Sequence, residues 1–265
     1  MKVSLVINTF DQPDYLARVL AAVAAQSRPP DEVLLADDGS GQPTRDLFSA
    51  WAAGRPFRTF HAWQSHEGFR RARILNVSIA TTRGDYLVFL DGDTLPHPQF
   101  LADHAAAARP GCFVQGHRAL VKAGATAWFG KNSFAADLRQ AVLQNQISSL
   151  QNSFRWPLAL HSFKNHLRGI RGCNLAIWRA DLLRVNGYNE DFAGWGREDS
   201  ELAARLLNAG CRRLDLRGRA VCFHLAHPLA SRAHLRDNDG LLAAAVRQKL
   251  SRCAHGLDHH LSADG

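Results

Sequence analysis

From Val3 to Gly116 the chain repeats one pattern: a short apolar run closed by polar residues, then a stretch whose apolar side chains recur on one helical face. Runs this short and this apolar read as strands buried on both faces of a parallel sheet, and the intervening segments read as its crossover helices. The strands are expected at Val3 to Ile7, Glu32 to Ala36, Phe57 to Ala62, Asp85 to Leu90 and Cys112 to Gly116. The first helix should be capped by Asp11, carry Pro13 in its first turn, bury Leu16, Val19, Leu20 and Val23, and stop at Pro29-Pro30. Further helices are predicted near Thr44 to Trp51 and Phe69 to Thr82, and from Pro96 and Pro98 to about Arg109. Strand, helix and strand in this rhythm define an α/β fold built of βαβ units.

The rhythm lapses between Arg118 and Arg168, where Gly124, Gly130 and a stretch rich in Gln, Asn and Ser isolate one helix, Phe134 to Leu150. That segment reads as a helical insertion or mobile flap. Order returns with a strand at Asn174 to Trp178, a helix at Arg179 to Val185, a helix from about Asp199 to Asn208, and strands near Arg213 to Leu216 and Ala220 to His224. From Ser231 a basic helix rich in Ala and Leu leads to the polar residues Asp258 to Gly265.

With 265 residues, 46% of them hydrophobic, the chain can bury a large core, which excludes a disordered or fibrous protein. Its formal charge of +8 favours an anionic partner. The five cysteines are scattered and never spaced C-x-x-C, so neither a disulfide framework nor a zinc ribbon is expected, and a cytoplasmic setting follows. The N-terminus is too short for a signal h-region, and no run approaches the roughly 18 apolar residues of a membrane span. The arginines of the second half lack aromatic interleaving and a nucleic-acid motif, so no nucleic-acid partner is expected. Leu241 to Leu250, with Lys249 and Arg252, suits peripheral contact with the anionic inner face of the cytoplasmic membrane, and a helix packed on the core explains it equally well.

Ligands of open parallel sheets bind at the carboxyl ends of the strands, where Asn8, Asp37, Asp38, Asp91 and Asp93 fall. Asp37-Asp38-Gly39-Ser40 is ordinary turn chemistry, but carboxylates directly after a buried strand can also accept from a nucleobase N–H or a ribose hydroxyl. Asp91-Gly92-Asp93 sets two oxygen ligands on a tight turn, as a hard divalent cation carrying substrate phosphates requires. Arg70, Arg71 and Arg73 are available to neutralise a diphosphate. In Gly194-Trp195-Gly196-Arg197-Glu198-Asp199 an aromatic between glycines makes a movable platform for a sugar. Glu198 and Asp199 then lie in the first turn of a helix, whose dipole should keep them ionised. His224, ahead of His227, can complete a metal shell as a neutral imidazole.

Five segments in this order resemble the family 2 glycosyltransferases, inverting enzymes of the GT-A fold: Val6 to Phe10, Asp37 to Ser40, Gly68 to Asn76, Gly84 to Asp93 and Gly194 to Leu202. Asn189 to Asp199 is similar to the galactosyltransferase-type half of chondroitin-type synthases and some bacterial surface-polysaccharide enzymes. The resemblance implies a single GT-A domain over 1–228, with a nucleotide-binding half (about 1–117), the insertion (about 118–168) and an acceptor half (about 169–228), followed by the basic tail at 229–265. It further implies that Asn8, Thr9, Asp37, Asp38, Arg73, Asn76 and Asp91 bind the donor nucleotide. Asp93, Asp91 and His224 would hold Mn²⁺ or Mg²⁺, Asp199 would be the catalytic base with Glu198 contacting the donor or acceptor sugar, and Trp195 and Gly196 would line the acceptor or sugar. Arg171 to Asn174 would form a small-residue strand beneath the donor sugar. The implied activity is transfer of one hexosyl or N-acetylhexosaminyl residue, with a UDP-sugar the default donor, to a glycan or glycolipid hydroxyl in bacterial cell-surface polysaccharide or lipopolysaccharide assembly. The alternative is a GT-A module that binds nucleotide or glycan without catalysis. A nucleotidyltransferase is disfavoured because Asn8 to Gln12 has no glycine-rich loop.

Overall fold

The computed structural model describes residues 1–156, 160–228 and 230–261. The first half alternates strictly: β1 (Val3–Thr9), α1 (Pro13–Ala24), β2 (Glu32–Asp37), α2 (Gln42–Ala52), β3 (Arg58–Trp63), α3 (Arg71–Thr81) and β4 (Tyr86–Asp91). Then follow β5 (Thr94–Pro96), α4 (Phe100–Ala107), β6 (Cys112–Gly116), β7 (Arg118–Val121), α5 (Ala123–Thr126), α6 (Phe134–Leu143), β8 (Ile147–Ser148) and β9 (Leu160–Lys164). The chain continues through β10 (Leu175–Trp178), α7 (Arg179–Val185), α8 (Glu198–Asn208), β11 (Arg212–Arg217), β12 (Cys222–His224) and α9 (Leu235–Arg247).

The main sheet has eight strands in the order β3-β2-β1-β4-β10-β6-β11-β9. β3, β2, β1 and β4 run parallel, and β10 is antiparallel to both of its neighbours. Because successive side chains of a strand point to opposite faces, β1 and β4 feed two cores at once. Val3, Leu5, Ile7, Tyr86, Val88 and Leu90 enter one, and Val6, Leu87 and Phe89 enter the other. The strand order reverses between β1 and β4, and Asn8 lies opposite Asp91 where the two diverge.

Five local expectations are corrected. Asp11 does not cap α1: it has φ +48°, its N–H donates to Ser40 Oγ (2.8 Å) and its carboxylate accepts from Gly41 N (3.3 Å), so it ties two rim loops together. Pro96 belongs to β5, an edge strand of a second sheet where a missing N–H is tolerated, and the helix starts only at Phe100. The helix begun at Phe134 ends at Leu143, because Asn145 turns left-handed (φ +52°) and Ile147–Ser148 pair with β7. Gly172–Asn174 form a 3-10 turn before β10 rather than the start of a strand. Finally, the stretch from Arg118 to Arg168 is no mere flap: β7 joins the second sheet, ordered β5-β12-β7-β8, and β9 pairs with β11 at the edge of the main one.

α8 is fixed by a buried ion pair within its own length. Arg205 Nε and Nη2 each lie 2.7 Å from a carboxylate oxygen of Glu201, and Nη2 donates to Gly187 O (2.8 Å) beyond the end of α7. α9 packs on α8, where Asn208 Nδ2 donates to Ala245 O (3.2 Å) and Leu250 O (2.8 Å). The polar tail docks as well, since Asp258 accepts from Asn186 Nδ2 (2.9 Å) and Leu257 is buried; Ser262 to Gly265 lie outside the described residues. Cutting Glu201 to Ala strands a guanidinium in the core. Glu201→Ala is therefore expected to lower the unfolding free energy by about 3–5 kcal/mol, read from urea denaturation.

Candidate active site

β4 ends in a turn that presses against β1. Gly92 N donates to Asn8 O (2.7 Å), and a Cβ on Gly92 would meet Thr9 Oγ1 at 2.9 Å, so only glycine lets Asp91 and Asp93 sit this close to the rim. β12 pairs antiparallel with β5, His224 opposite Thr94, and Leu225 N donates to Asp93 O (3.0 Å). This brings two imidazoles to one carboxylate: Asp93 lies 3.5 Å from His224 Nε2 and 3.1 Å from His227 Nε2. One ligand atom from each of the three lies within 4.8 Å of the others. Burial pushes the His224 ring down to about 4, so it is neutral at physiological pH, the form a metal ligand needs. Burial works against the charge on Asp93, but the His227 hydrogen bond and the nearby His224 outweigh it and hold the carboxyl below its usual range.

Asp91 turns the other way, toward Arg71, so the metal-type cluster is Asp93, His224 and His227 rather than Asp91, Asp93 and His224. Arg71 opens α3 and is buried among three carboxylates. Its Nη1 lies 2.9 Å from Asp199 and 3.3 Å from Glu198, and its Nη2 lies 3.4 Å from Asp91. Burial opposes this charge, but Asp199 and Asp91 outweigh it and hold the guanidinium firmly protonated. Asp199 also accepts from Gly172 N (2.8 Å) and from the Tyr188 hydroxyl (3.4 Å). A Cβ on Gly172 would lie 2.3 Å from Arg71 Nη2 and 2.4 Å from Asp199 Oδ1, so the 3-10 turn must carry glycine there.

The α8 dipole was expected to keep both acids of its first turn ionised. Glu198 departs from that: burial, then the Asp199 charge, push it up to about 7 despite Arg71. Asp91 is likewise pushed up to about 6, by burial and its acidic neighbours against Arg71. The helix dipole is worth about 1 kcal/mol or less, too little to overcome burial of this depth.

The remaining candidates divide. Asp38 accepts from Gln64 Nε2 (2.5 Å) and Arg70 N (2.9 Å), and Arg73 Nη1 donates to Gln64 Oε1 (2.7 Å), so Arg73 reaches Asp38 through a glutamine. Asp37 is fully buried, accepts from Ser40 N (2.7 Å) and pairs with His61 (2.9 Å), which makes it the brace of the turn. Thr9 is buried against Gly92, whereas the Asn8 side-chain oxygen is buried with no hydrogen-bond partner among the described residues. Asn76, expected near the nucleotide, is corrected to a structural clasp: its amide donates to Tyr188 O and Glu190 Oε1 (2.8 Å each) and accepts from Tyr188 N (2.8 Å). Trp195 is 42% exposed with the Arg232 guanidinium 5.7 Å from its ring centre, and Gly196 N donates to Glu198 (3.1 Å).

Sequence reasoning passed over Gln64, His66 and Tyr188, none of which stands in a chemical motif. His66 stacks on exposed Phe10 (4.1 Å between ring centres, 13° between planes) and its Nδ1 lies 3.0 Å from Asp38 O.

A sheet that reverses order between β1 and β4, with acidic turns and an acid-bearing helix at that rim, agrees with the GT-A class of glycosyltransferase fold, to which the likeness to solved structures assigns it. The family model described as glycosyl transferase family 2 matches residues 4–181, and the chain belongs to that family. A second model, described as the N-terminal domain of galactosyltransferase, matches residues 154–228. Among curated relatives, validoxylamine A glucosyltransferase of Streptomyces hygroscopicus subsp. limoneus is 28% identical over 77% of this chain and 47% of its own length. Chondroitin synthase of Escherichia coli is 25% identical over 85% of this chain and 35% of its own. The chain thus spans about half the length, or less, of these relatives. Among solved structures, the mannosyltransferase of Pyrobaculum calidifontis in complex with GDP-Man and Mn²⁺ shares the fold with a TM-score of 0.60 at 21% identity, over 93% of this chain and 64% of that one. S. aureus TarS 1-349 in complex with UDP-GlcNAc gives 0.68 at 15% identity, over 98% and 69%.

The raised Glu198 pKa makes the stability of the fold depend on pH. Between about 4.5 and about 7 the unfolded chain has released this proton while the folded chain keeps it, so the contribution of Glu198 to stability falls as pH rises through that window. Glu198→Gln is expected to remove that part of the slope. Unfolding free energies measured from pH 4.5 to 7.5 should therefore decline less steeply for the variant than for the wild type.

Proposed function

We propose that the protein is a metal-dependent inverting glycosyltransferase that moves one hexosyl or N-acetylhexosaminyl residue from a nucleotide diphosphate donor, preferably a UDP-sugar, to a hydroxyl of a glycan or glycolipid. The observation that carries this reading is the meeting, at the β1/β4 switch point, of the Asp93–His224–His227 cluster with the Arg71–Asp91–Glu198–Asp199 network. Bacterial cell-surface polysaccharide or lipopolysaccharide assembly is the setting we favour, in keeping with the chondroitin synthase likeness.

The carboxylate and two imidazoles of the cluster fit a divalent cation, and imidazole donors favour Mn²⁺ over Mg²⁺. When bound, such an ion would neutralise charge on the departing diphosphate. Asn8, with its unpartnered buried oxygen, and Asp38 supply acceptors for the nucleoside at the carboxyl ends of β1 and β2. Asp199 takes the proton of the acceptor hydroxyl as that oxygen bonds to the anomeric carbon from the face opposite the diphosphate, so the anomer inverts. Arg71, Gly172 N–H and the Tyr188 hydroxyl hold the Asp199 carboxylate in place for that transfer. Glu198, more deeply buried than Asp199, contacts the acceptor sugar with Trp195.

Two measurements test this reading. Calorimetric titration with UDP, GDP and dTDP, each with Mn²⁺, Mg²⁺ or EDTA, should find metal-dependent binding of one nucleotide that Asp93→Ala abolishes; no binding under any condition would favour the non-catalytic module. Asp199→Asn should keep nucleotide binding while kcat falls by about 10²–10⁴, the usual contribution of a general base. Full turnover in that variant would remove Asp199 from the role.

A further inference from the structure

Neither family model extends beyond residue 228, yet α9 closes over the loop that leads into the acid-bearing helix. Gly194 (φ +65°) and Gly196 (φ +109°) take positive φ at no steric cost and would take other backbone conformations as readily, while Arg197 (φ +80°) is strained there and persists only where its surroundings over-determine it. The surroundings come from the tail. Asn238, 1% exposed, donates from one Nδ2 to Ala193 O (3.0 Å) and to Gly196 O (2.9 Å). A Cβ on Gly194 would lie 2.7 Å from the His234 ring, and one on Gly196 would lie 3.1 Å from Leu235, so both glycines are packed under the start of α9. Arg197 Nε pairs with Asp239 at 2.5 Å, and Arg232 lies over Trp195. Gly196, whose carbonyl Asn238 holds, donates its own N–H to Glu198 (3.1 Å).

We propose that Asn238 is a positioning residue: through its carboxamide, α9 sets the 193–197 loop, and with it Trp195 and the Gly196 N–H that holds Glu198, in the geometry the acceptor sugar meets. The inference rests on the glycosyltransferase reading for its kinetic half and on geometry alone for its structural half. Loss of the donor leaves two carbonyls under α9 unpaired, and the loop, with two permissive glycines and a strained Arg197, departs from this geometry. The donor nucleotide, bound at the ends of β1 and β2, is untouched.

The test compares Asn238→Asp, which keeps the side-chain volume and removes the donor, and Asn238→Ala with Asn208→Ala, which cuts the two bonds at the far end of α9. Two readouts are taken: amide hydrogen exchange of the 193–198 peptide, and the KM values for UDP-glucose and for methyl β-glucoside as acceptor, with Mn²⁺ present. Both Asn238 variants are expected to speed loop exchange and raise the acceptor KM by about tenfold, with the donor KM held within about twofold. Asn208→Ala should lower the melting temperature without either effect. Loop exchange equal to wild type in Asn238→Asp, or faster exchange with an unchanged acceptor KM, would overturn the proposal. So would an Asn208→Ala variant that reproduces the KM change. If the wild type transfers nothing from UDP-glucose to methyl β-glucoside, it is the activity proposed for this donor and acceptor pair that fails, and the exchange data still decide whether Asn238 holds the loop.

Discussion

One buried guanidinium holds three distant parts of this chain in register. Arg71, at the start of α3, meets Asp91 from the end of β4 and the Glu198–Asp199 pair that opens α8 more than a hundred residues later. Three carboxylates gathered in a half-buried cleft would repel one another and resist ionisation. With a single fixed cation between them they share its charge unequally: Glu198 rises to about 7, Asp91 to about 6, and Arg71 itself is held firmly protonated. A buried ion network of this kind is poor evidence for stability, because desolvation offsets much of the attraction. Its consequence here is geometric, since the acids cannot leave the cation without leaving an uncompensated charge behind.

A second constraint works through backbone pairing. β12 returns from the end of the main sheet to pair with β5 and β7, and that short sheet sets His224 and His227 beside Asp93. Asp91 and Asp93 are separated by one glycine yet serve opposite neighbours, one facing a cation of the protein and the other a pair of imidazoles. The turn at Gly92, tight against Thr9, is what splits them. Glycine at 172 plays the matching part on the far side, letting a backbone N–H reach Asp199 where any side chain would strike Arg71.

The sheet was legible because its signal is local. Apolar runs of β1, β2, β4 and β6 and the helical spacing of Leu16, Val19, Leu20 and Val23 state their own burial. The acidic turn after β4 and the acids after Trp195 were legible for the same reason, being compact motifs at the ends of periodic segments. What misled was anything decided by a partner far along the chain. Asp11 looked like a helix cap and instead ties two loops; Pro96 looked like a helix start and instead pairs with Cys222. Asn76 sits in a motif beside arginines, but Tyr188 and Glu190 claim its amide.

By itself, then, the sequence determined the α/β architecture, the rim on which the acids fall and the family to which the chain belongs, because periodicity and short motifs depend on neighbours within a few residues. Only the tertiary structure decided which of Arg70, Arg71 and Arg73 becomes the hub, which histidine joins His224, and which carboxylate is pushed toward neutrality. Arg70 pairs locally with Glu67 and Arg73 with Gln64, while Arg71 alone points inward to α8. That choice rests on long-range packing and on the loss of solvent around buried charge, and neither quantity is written in the spacing of residues.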